Sequence, residues 1–200
     1  MASNHYFTDN RNLPSWRKEH AFVFLGHTYT FVTDLGVFSK EGVDRGTEIL
    51  LQTLEETDLD GDVLDLGCGY GVVGIVVKTC FPKCNVTASD INPRAVELAS
   101  INAQKNGVTM RVLQSDGFEA IPETYDTILL NPPIRTGKSV IYPLFEEAYK
   151  HLKPKGRLRI VIRKQQGASS AKTKLESCFK NCEIIQKHKG YWILESIRLD

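Results

Sequence analysis

Apolar positions along this chain follow two textures, and the change between them divides it. Near the start, β-branched and aromatic residues come in two short runs, Ala21-Phe22-Val23-Phe24-Leu25 and Tyr29-Thr30-Phe31-Val32-Thr33, joined by Gly26-His27-Thr28. Such runs broken by glycine predict a β-hairpin. Thr47 to Leu54 then reads as a helix. From Asp62 onward strand-like and helix-like segments alternate. The strands are expected at Val63–Leu66, Asn85–Ser89, Arg111–Gln114, Tyr125–Leu130 and Arg157–Ile162, and the helices at Val72–Cys80, Pro93–Asn106, Tyr142–His151 and Ser169–Phe179. Proline near the start of the second of these helices and Asn106-Gly107 at its end have the expected asymmetry of helix termini. Lys153-Pro154-Lys155-Gly156 is read as a stop after the third. Glu183–Gln186 and Tyr191–Ile197 close the chain as strands across Lys189-Gly190.

Alternating strands and helices predict an α/β fold, a parallel sheet with helices on both faces. The last two strands must pair antiparallel, because so short a turn cannot make a crossover. The expectation is a seven-stranded, mostly parallel sheet with a C-terminal antiparallel hairpin and a small N-terminal β-hairpin extension. Neither a repeat nor a linker interrupts the 200 residues, so one domain is expected, with 1–60 as the hairpin-and-helix extension and 61–200 as the core.

Composition narrows the classes. Hydrophobic residues make up 42% and charged residues 24%, as in ordinary globular proteins, and the net charge of +1 supplies no global attraction to nucleic acid. Any such binding needs a local patch, and Lys153, Lys155, Arg157, Arg163, Lys164, Lys172 and Lys174 concentrate positive charge in the last third. The first six residues lack the features of a secretory signal. The most apolar stretch, around Val72 to Val77, falls far short of the roughly 20 residues of a membrane span. A cytoplasmic protein without a membrane partner is expected. Five cysteines (68, 80, 84, 178 and 182) include two Cys-x-x-x-Cys pairs, but no His or further Cys stands at zinc-site spacing, so reduced thiols and no metal are expected.

Candidate chemistry falls directly after the strands, where open α/β sheets bind ligands. Asp65-Leu66-Gly67-Cys68-Gly69-Tyr70-Gly71 is a glycine bend opening a helix: Gly67, Gly69 and Gly71 permit a sharp turn and close approach to a ligand, and Asp65 can take up a cationic group or order the loop. Gly69-Tyr70-Gly71-Val72-Val73-Gly74 also fits a dinucleotide fingerprint, and Asp90, placed to bind ribose hydroxyls, suits either reading. Ser115-Asp116-Gly117 after the third strand places a carboxylate for an adenine amino group and favours a methyl-donor cofactor. Asn131-Pro132-Pro133 follows the fourth strand. Delocalisation makes the exocyclic nitrogen of a nucleobase or amide a poor nucleophile. Two acceptors, the Asn131 side-chain oxygen and the Pro132 carbonyl on a proline-stiffened loop, can hold its hydrogens and turn its lone pair toward a sulfonium methyl.

These motifs, with Ser89-Asp90-Ile91-Asn92, resemble Rossmann-like class I S-adenosylmethionine-dependent amine methyltransferases. Gly36-Val37-Phe38-Ser39 through Asp44-Arg45-Gly46-Thr47, and Asn131 through Lys138, resemble more narrowly the catalytic domain of bacterial small-subunit (16S) ribosomal RNA guanine-N2 methyltransferases of the C type. The resemblance covers nearly the whole chain, although the best-known members carry an additional, degenerate N-terminal domain. It implies S-adenosyl-L-methionine as cofactor, bound by Asp65, Gly67, Gly69, Gly71, Asp90, Ile91, Asp116, Gly117 and Asn131. It implies catalysis at Asn131, Pro132 and Pro133, and ribosomal RNA or a small-subunit particle as partner. Substrate contacts are expected from Phe38, Asp44, Ile134, Arg135 and Lys138. Ile134 stands where related amine methyltransferases often carry a stacking aromatic, so stacking is expected from Phe38 or is replaced by apolar packing. Three other readings stand beside this one: glutamine-amide methylation on a translation factor, adenine methylation in DNA, and a non-catalytic S-adenosylmethionine-binding module.

Overall fold

A computed structural model describes residues 14–54 and 59–200; the first six residues, read above for targeting, lie outside them. The chain begins with a two-stranded hairpin, β1 (Lys18–Phe24) and β2 (His27–Thr33). Its turn is tighter than the glycine spacing suggests. Leu25 and Gly26 alone make it, at φ 46° and 76°. Positive φ at both central residues gives the type I′ twist that matches paired strands, so His27 and Thr28 join the second strand. Helix α1 (Arg45–Gln52) follows, capped by the Asp44 carboxylate, which accepts from the Gly46 and Thr47 amides.

The main sheet collects β3 (Asp62–Leu66), β4 (Asn85–Asp90), β5 (Arg111–Gln114), β6 (Tyr125–Leu130), β7 (Leu152–Arg163), β8 (Glu183–His188) and β9 (Tyr191–Ile197) in the order β5-β4-β3-β6-β7-β9-β8. The first five strands of that order are parallel; β9 runs against β7, and β8 against β9. This is the expected Rossmann-like layout. Helices α2 (Val72–Cys80) and α3 (Pro93–Lys105) cover one face with α1 and the hairpin, and α4 (Lys138–Lys150) and α5 (Ala168–Phe179) cover the other. The pleat sorts neighbouring apolar residues between the two cores. Val63, Leu129, Val161 and Ile193 face the first, while Leu64, Ile128, Ile160 and Leu194 face the second. Strand order departs in opposite directions from β3 and β6, which opens a crevice at their carboxyl ends.

Helix α1 begins and ends two residues earlier than the expected Thr47–Leu54, because the Asp44 cap sets its start, and two later boundaries move further. Helix α4 begins at Lys138, four residues earlier than expected, and runs through Pro143. Proline removes one backbone bond near the helix start, and burial of Ile141 and Phe145 compensates. Strand β7 begins at Leu152, so Lys153–Gly156 is an irregularity within the strand, with Lys155 at φ 67° and a register shift opposite Tyr125/Thr127.

Side-chain amides tie the hairpin to the core. Asn102 of α3 accepts from the Val32 amide (2.7 Å) and donates to the Val32 and Tyr70 carbonyls (2.9 Å each). One helical turn on, Asn106 accepts from the Thr30 amide (3.0 Å) and donates to its carbonyl (2.9 Å). Two amides at i and i+4 thus satisfy alternate residues of β2 as a neighbouring strand would.

Candidate active site

The glycine bend lies at the crevice, and its three glycines do two kinds of work. All have left-handed φ, at 69°, 55° and 93° for Gly67, Gly69 and Gly71. A Cβ on Gly67 or Gly69 would meet nothing within 4 Å, so this backbone faces open space. A Cβ on Gly71 would sit 3.1 Å from that of Ala99, so this glycine lets α2 approach α3. Buried Asp65 accepts from the Gly74 amide in α2 at 2.8 Å. Asp90 accepts from the Gly69 and Asn92 amides, each at 2.8 Å, tying the bend to the entrance of α3. Burial raises Asp65 to about 7, opposed by the Gly74 bond and reinforced by the charge of Asp90. Burial also raises Asp90, against the pull of three backbone amides. Cys68, on the same bend, has its thiol pushed well up by burial, which removes it as a nucleophile.

A cavity of about 640 Å³ opens over this bend. Ile91, Asp116 and Gly117 border it beside the glycines, and Pro132, Pro133 and Ile134 continue its wall past Asn131. Phe38, Ile91 and Val140 are 40%, 37% and 46% exposed at its rim. Beyond the proline loop the lining passes to Arg163 and Gln166 after β7 and to Tyr191 at the start of β9.

Asn131 sits between these halves, and its amide is oriented. Its Nδ2 lies 3.3–3.4 Å from the Asp44 carboxylate oxygens and donates to Thr47 Oγ1 at 3.1 Å. Thr47 in turn donates its hydroxyl to Asp44. A carboxylate can only accept, so the amide must present nitrogen to it. Asn131 Oδ1 is left without a protein donor among the described residues. Gly46 makes room for this contact: a Cβ there would lie 3.1 Å from Asp44 Oδ1, 3.2 Å from the Tyr191 ring and 3.6 Å from Asn131 Nδ2. The Pro132 carbonyl accepts from the Ile134 amide at 2.8 Å across Pro133 (φ −73°, ψ 71°), an inverse γ-turn that leaves the carbonyl one further lone pair.

The match to known sequences decides what this cavity belongs to: the model of the Methyltransferase small domain matches residues 28–195. The chain belongs to that family. The methyltransferase is 42% identical over 197 residues to "Uncharacterized protein YbxB" of Bacillus subtilis, covering 97% of this chain and 98% of that one. It is 35% identical over 167 residues to "Ribosomal RNA small subunit methyltransferase C" of Pseudomonas entomophila, covering 82% of this chain and 49% of that protein. Among solved structures it resembles the "T. Thermophilus 16S rRNA N2 G1207 methyltransferase (RsmC) in complex with AdoMet and Guanosine", with TM-score 0.84, 26% identity, and coverage of 93% of this chain and 52% of that one. The chain thus spans about half the length of these C-type relatives. It is an S-adenosylmethionine-dependent methyltransferase related to them. The cavity fits that cofactor: two of the bend's glycines leave space that side chains would fill, and Asp65, Asp90 and Asp116 supply acceptors around it.

Other expected positions divide. Lys138 is not part of the cavity wall; as the first residue of α4 it reaches Ser170 of α5 at 3.3 Å. The Arg135 side chain lies outside the described residues. Three basic residues of the last third are neutralised by carboxylates. Lys153 bridges Asp62 and Asp126 at 2.6 and 2.7 Å, Lys172 pairs with Glu176, and Lys174 with Glu146. Among the described residues no group of three or more His, Cys, Asp or Glu is arranged for a metal ion, and no helix is long and apolar enough to cross a membrane. Thr47 stands in the Asp44–Thr47 motif but its hydrogen bond to Asn131 is visible only in the fold, and nothing local marks Tyr191 or Gln166, which reach the site through tertiary packing.

Proposed function

We propose that this methyltransferase transfers a methyl group from S-adenosylmethionine to the exocyclic N2 amine of a guanine in small-subunit ribosomal RNA. The observation that carries the reading is the oriented amide of Asn131, held by Asp44 and Thr47 so that its oxygen remains to accept. The names and bound guanosine of the C-type relatives support the choice of base and RNA. When bound, the cofactor supplies a sulfonium-activated methyl group, so no strong base is required of the protein.

In this mechanism Asp65, Gly67, Gly69, Gly71, Asp90, Ile91, Asp116, Gly117 and Asn131 would hold the cofactor. Asn131 Oδ1 accepts one hydrogen of the target amine, and the remaining lone pair of the Pro132 carbonyl accepts the other. Pro133 stiffens the turn that aims both. As the amine gains positive charge, these two acceptors stabilise it without reorganising, and the methylated nitrogen then releases one of its protons to solvent water. Phe38 and Ile134 pack against the base, and Tyr191 borders the same gap at Gly46. Asp44 acts through Asn131 rather than on the base. We propose also that residues 1–200 work as one domain, since α1 supplies the groups that orient the catalytic amide. A base within a duplex must be flipped out to enter.

The test is methyl-donor labelling of small-subunit particles, free ribosomal RNA and translation factors, followed by nucleoside and amino-acid analysis. N2-methylguanosine in ribosomal RNA is expected. Methylated glutamine with no methylguanosine would overturn the reading in favour of amide methylation.

A further inference from the structure

We infer that the corner formed by the end of β7 and the β8–β9 turn is where the RNA backbone beside the target nucleotide docks. This rests on RNA being the substrate. Topology brings the corner to the cavity. Strands β6 and β7 are parallel, so Arg163 emerges at the same sheet edge as Asn131. Strand β9 runs against β7 and β8 against β9, so the Lys189-Gly190 turn returns to that edge. The Lys164 amide donates to the Gly190 carbonyl at 2.8 Å, which joins the two segments. Arg163 and Tyr191, neighbours across the sheet, both line the cavity.

The charges of this corner are kept available. Arg163, Lys164, Lys187 and Lys189 are exposed, and none has an acidic partner within ion-pair distance among the described residues. Elsewhere, Arg159, Lys153, Lys172 and Lys174 are neutralised by carboxylates. Here the partners are aromatic. Arg163 Nε donates to Tyr191 Oη at 2.6 Å, with the guanidinium carbon 4.9 Å from the ring centroid. The Lys187 ammonium lies 4.8 Å from the Trp192 ring centroid. Such contacts position a cation without cancelling its charge.

The cavity is therefore polarised. Its glycine half carries Asp65, Asp90 and Asp116 and Asp44 lies beside Asn131, while at the far end Arg163 lines the cavity and Lys164, Lys187 and Lys189 stand exposed just outside it. On a chain of net charge +1, that separation is local organisation rather than general excess. It suits a ligand that presents its base to Asn131 and its phosphates to the corner, because phosphate contacts position a nucleic acid while the base is read elsewhere.

The test is salt-dependent binding of small-subunit ribosomal RNA transcribed in vitro. Lys164→Gln/Lys189→Asn should weaken binding several-fold and reduce the slope of log affinity against log salt by about 2. Binding of S-adenosylhomocysteine should not change. Lys172→Gln/Lys174→Gln, which removes ion-paired cations, should leave the slope as it is. Should the double variant fail to fold, Lys187→Gln gives the same readout with a reduction of about 1. Unchanged affinity and slope, with wild-type protein still methylating the RNA, would overturn this docking surface but not the proposed activity. Weakened binding to assembled particles but not to free RNA would also overturn it, in favour of an acidic protein surface. Wild-type protein that neither binds nor methylates ribosomal RNA would remove the substrate reading and this inference with it.

Discussion

Asn131 is held by two residues 84 and 87 positions away, and that arrangement makes two roles separable. Asn131→Ala removes the acceptor itself. It should lower turnover by about 100- to 1,000-fold, the usual cost of one preorganised polar contact to developing charge. Binding of S-adenosylhomocysteine should persist, since the bend and its carboxylates are untouched; loss of both would make Asn131 structural. Thr47→Val keeps the shape of a buried side chain but deletes the hydroxyl between Asn131 and Asp44. Turnover should fall about tenfold, with little change in calorimetric cofactor affinity. Asp65 carries a second prediction. Its carboxyl is raised from 3.8 to about 7, so across that interval the folded state binds the proton more tightly than the unfolded chain. Stability from this group is present at the acid end and is lost as pH rises toward 7. Melting temperatures should therefore fall from about pH 4 to about pH 7 and level off above it. Asp65→Asn can still accept from Gly74 and should flatten that fall, with Asp90, also raised, supplying a remainder. An identical slope in the variant would remove Asp65 as its source.

Gly69 and Gly71, two glycines of one bend, should respond differently because different elements surround them. Alanine at Gly69 or Gly71 meets a left-handed backbone, costing about 1–2 kcal/mol. Gly71→Ala also crowds Ala99, adding about 1–3 kcal/mol as α2 and α3 are forced apart. Gly69→Ala should instead spare most of the stability and abolish cofactor binding, because its methyl enters the cavity. Thermal melts with and without S-adenosylhomocysteine separate the two, and equal destabilisation would contradict the assignment. Helix α1 is held at both ends. Asp44 caps its start against Asn131, and Arg159 donates to the Thr53 carbonyl at its end (2.9 Å) while pairing with Glu195 at 2.6 Å. Arg159→Met leaves Glu195 in a mostly buried site without its partner and should cost about 3–5 kcal/mol in denaturant unfolding. Cofactor-independent activity loss should follow as α1 loosens. A cost below 1 kcal/mol would mean that solvent reaches this pair.

Across the whole molecule, the elements announced by strong local signals lie where the pattern put them. Val63–Leu66 and Tyr125–Leu130 are apolar enough to be strands in any context, and Pro93 with Asn106-Gly107 brackets a helix through caps that act within one turn. Boundaries moved where packing overrode a local rule. Pro143 lies inside α4 because Ile141 and Phe145 reach the core, and Lys153–Gly156 lies inside β7 because Tyr125 pairs with Leu152. By itself the sequence determined the order of strands and helices and the placement of the glycine bend, three acids and the Asn-Pro-Pro loop at strand ends. Periodicity, turn chemistry and chain direction are local, so they survive without a partner. Only the tertiary structure decided which way the Asn131 amide faces, that Asp44 and Thr47 hold it, and that Tyr191 and Arg163 complete the cavity. Those depend on β9 returning beside β7 and on α1 crossing the sheet edge, contacts between residues far apart in the chain that no local signal encodes.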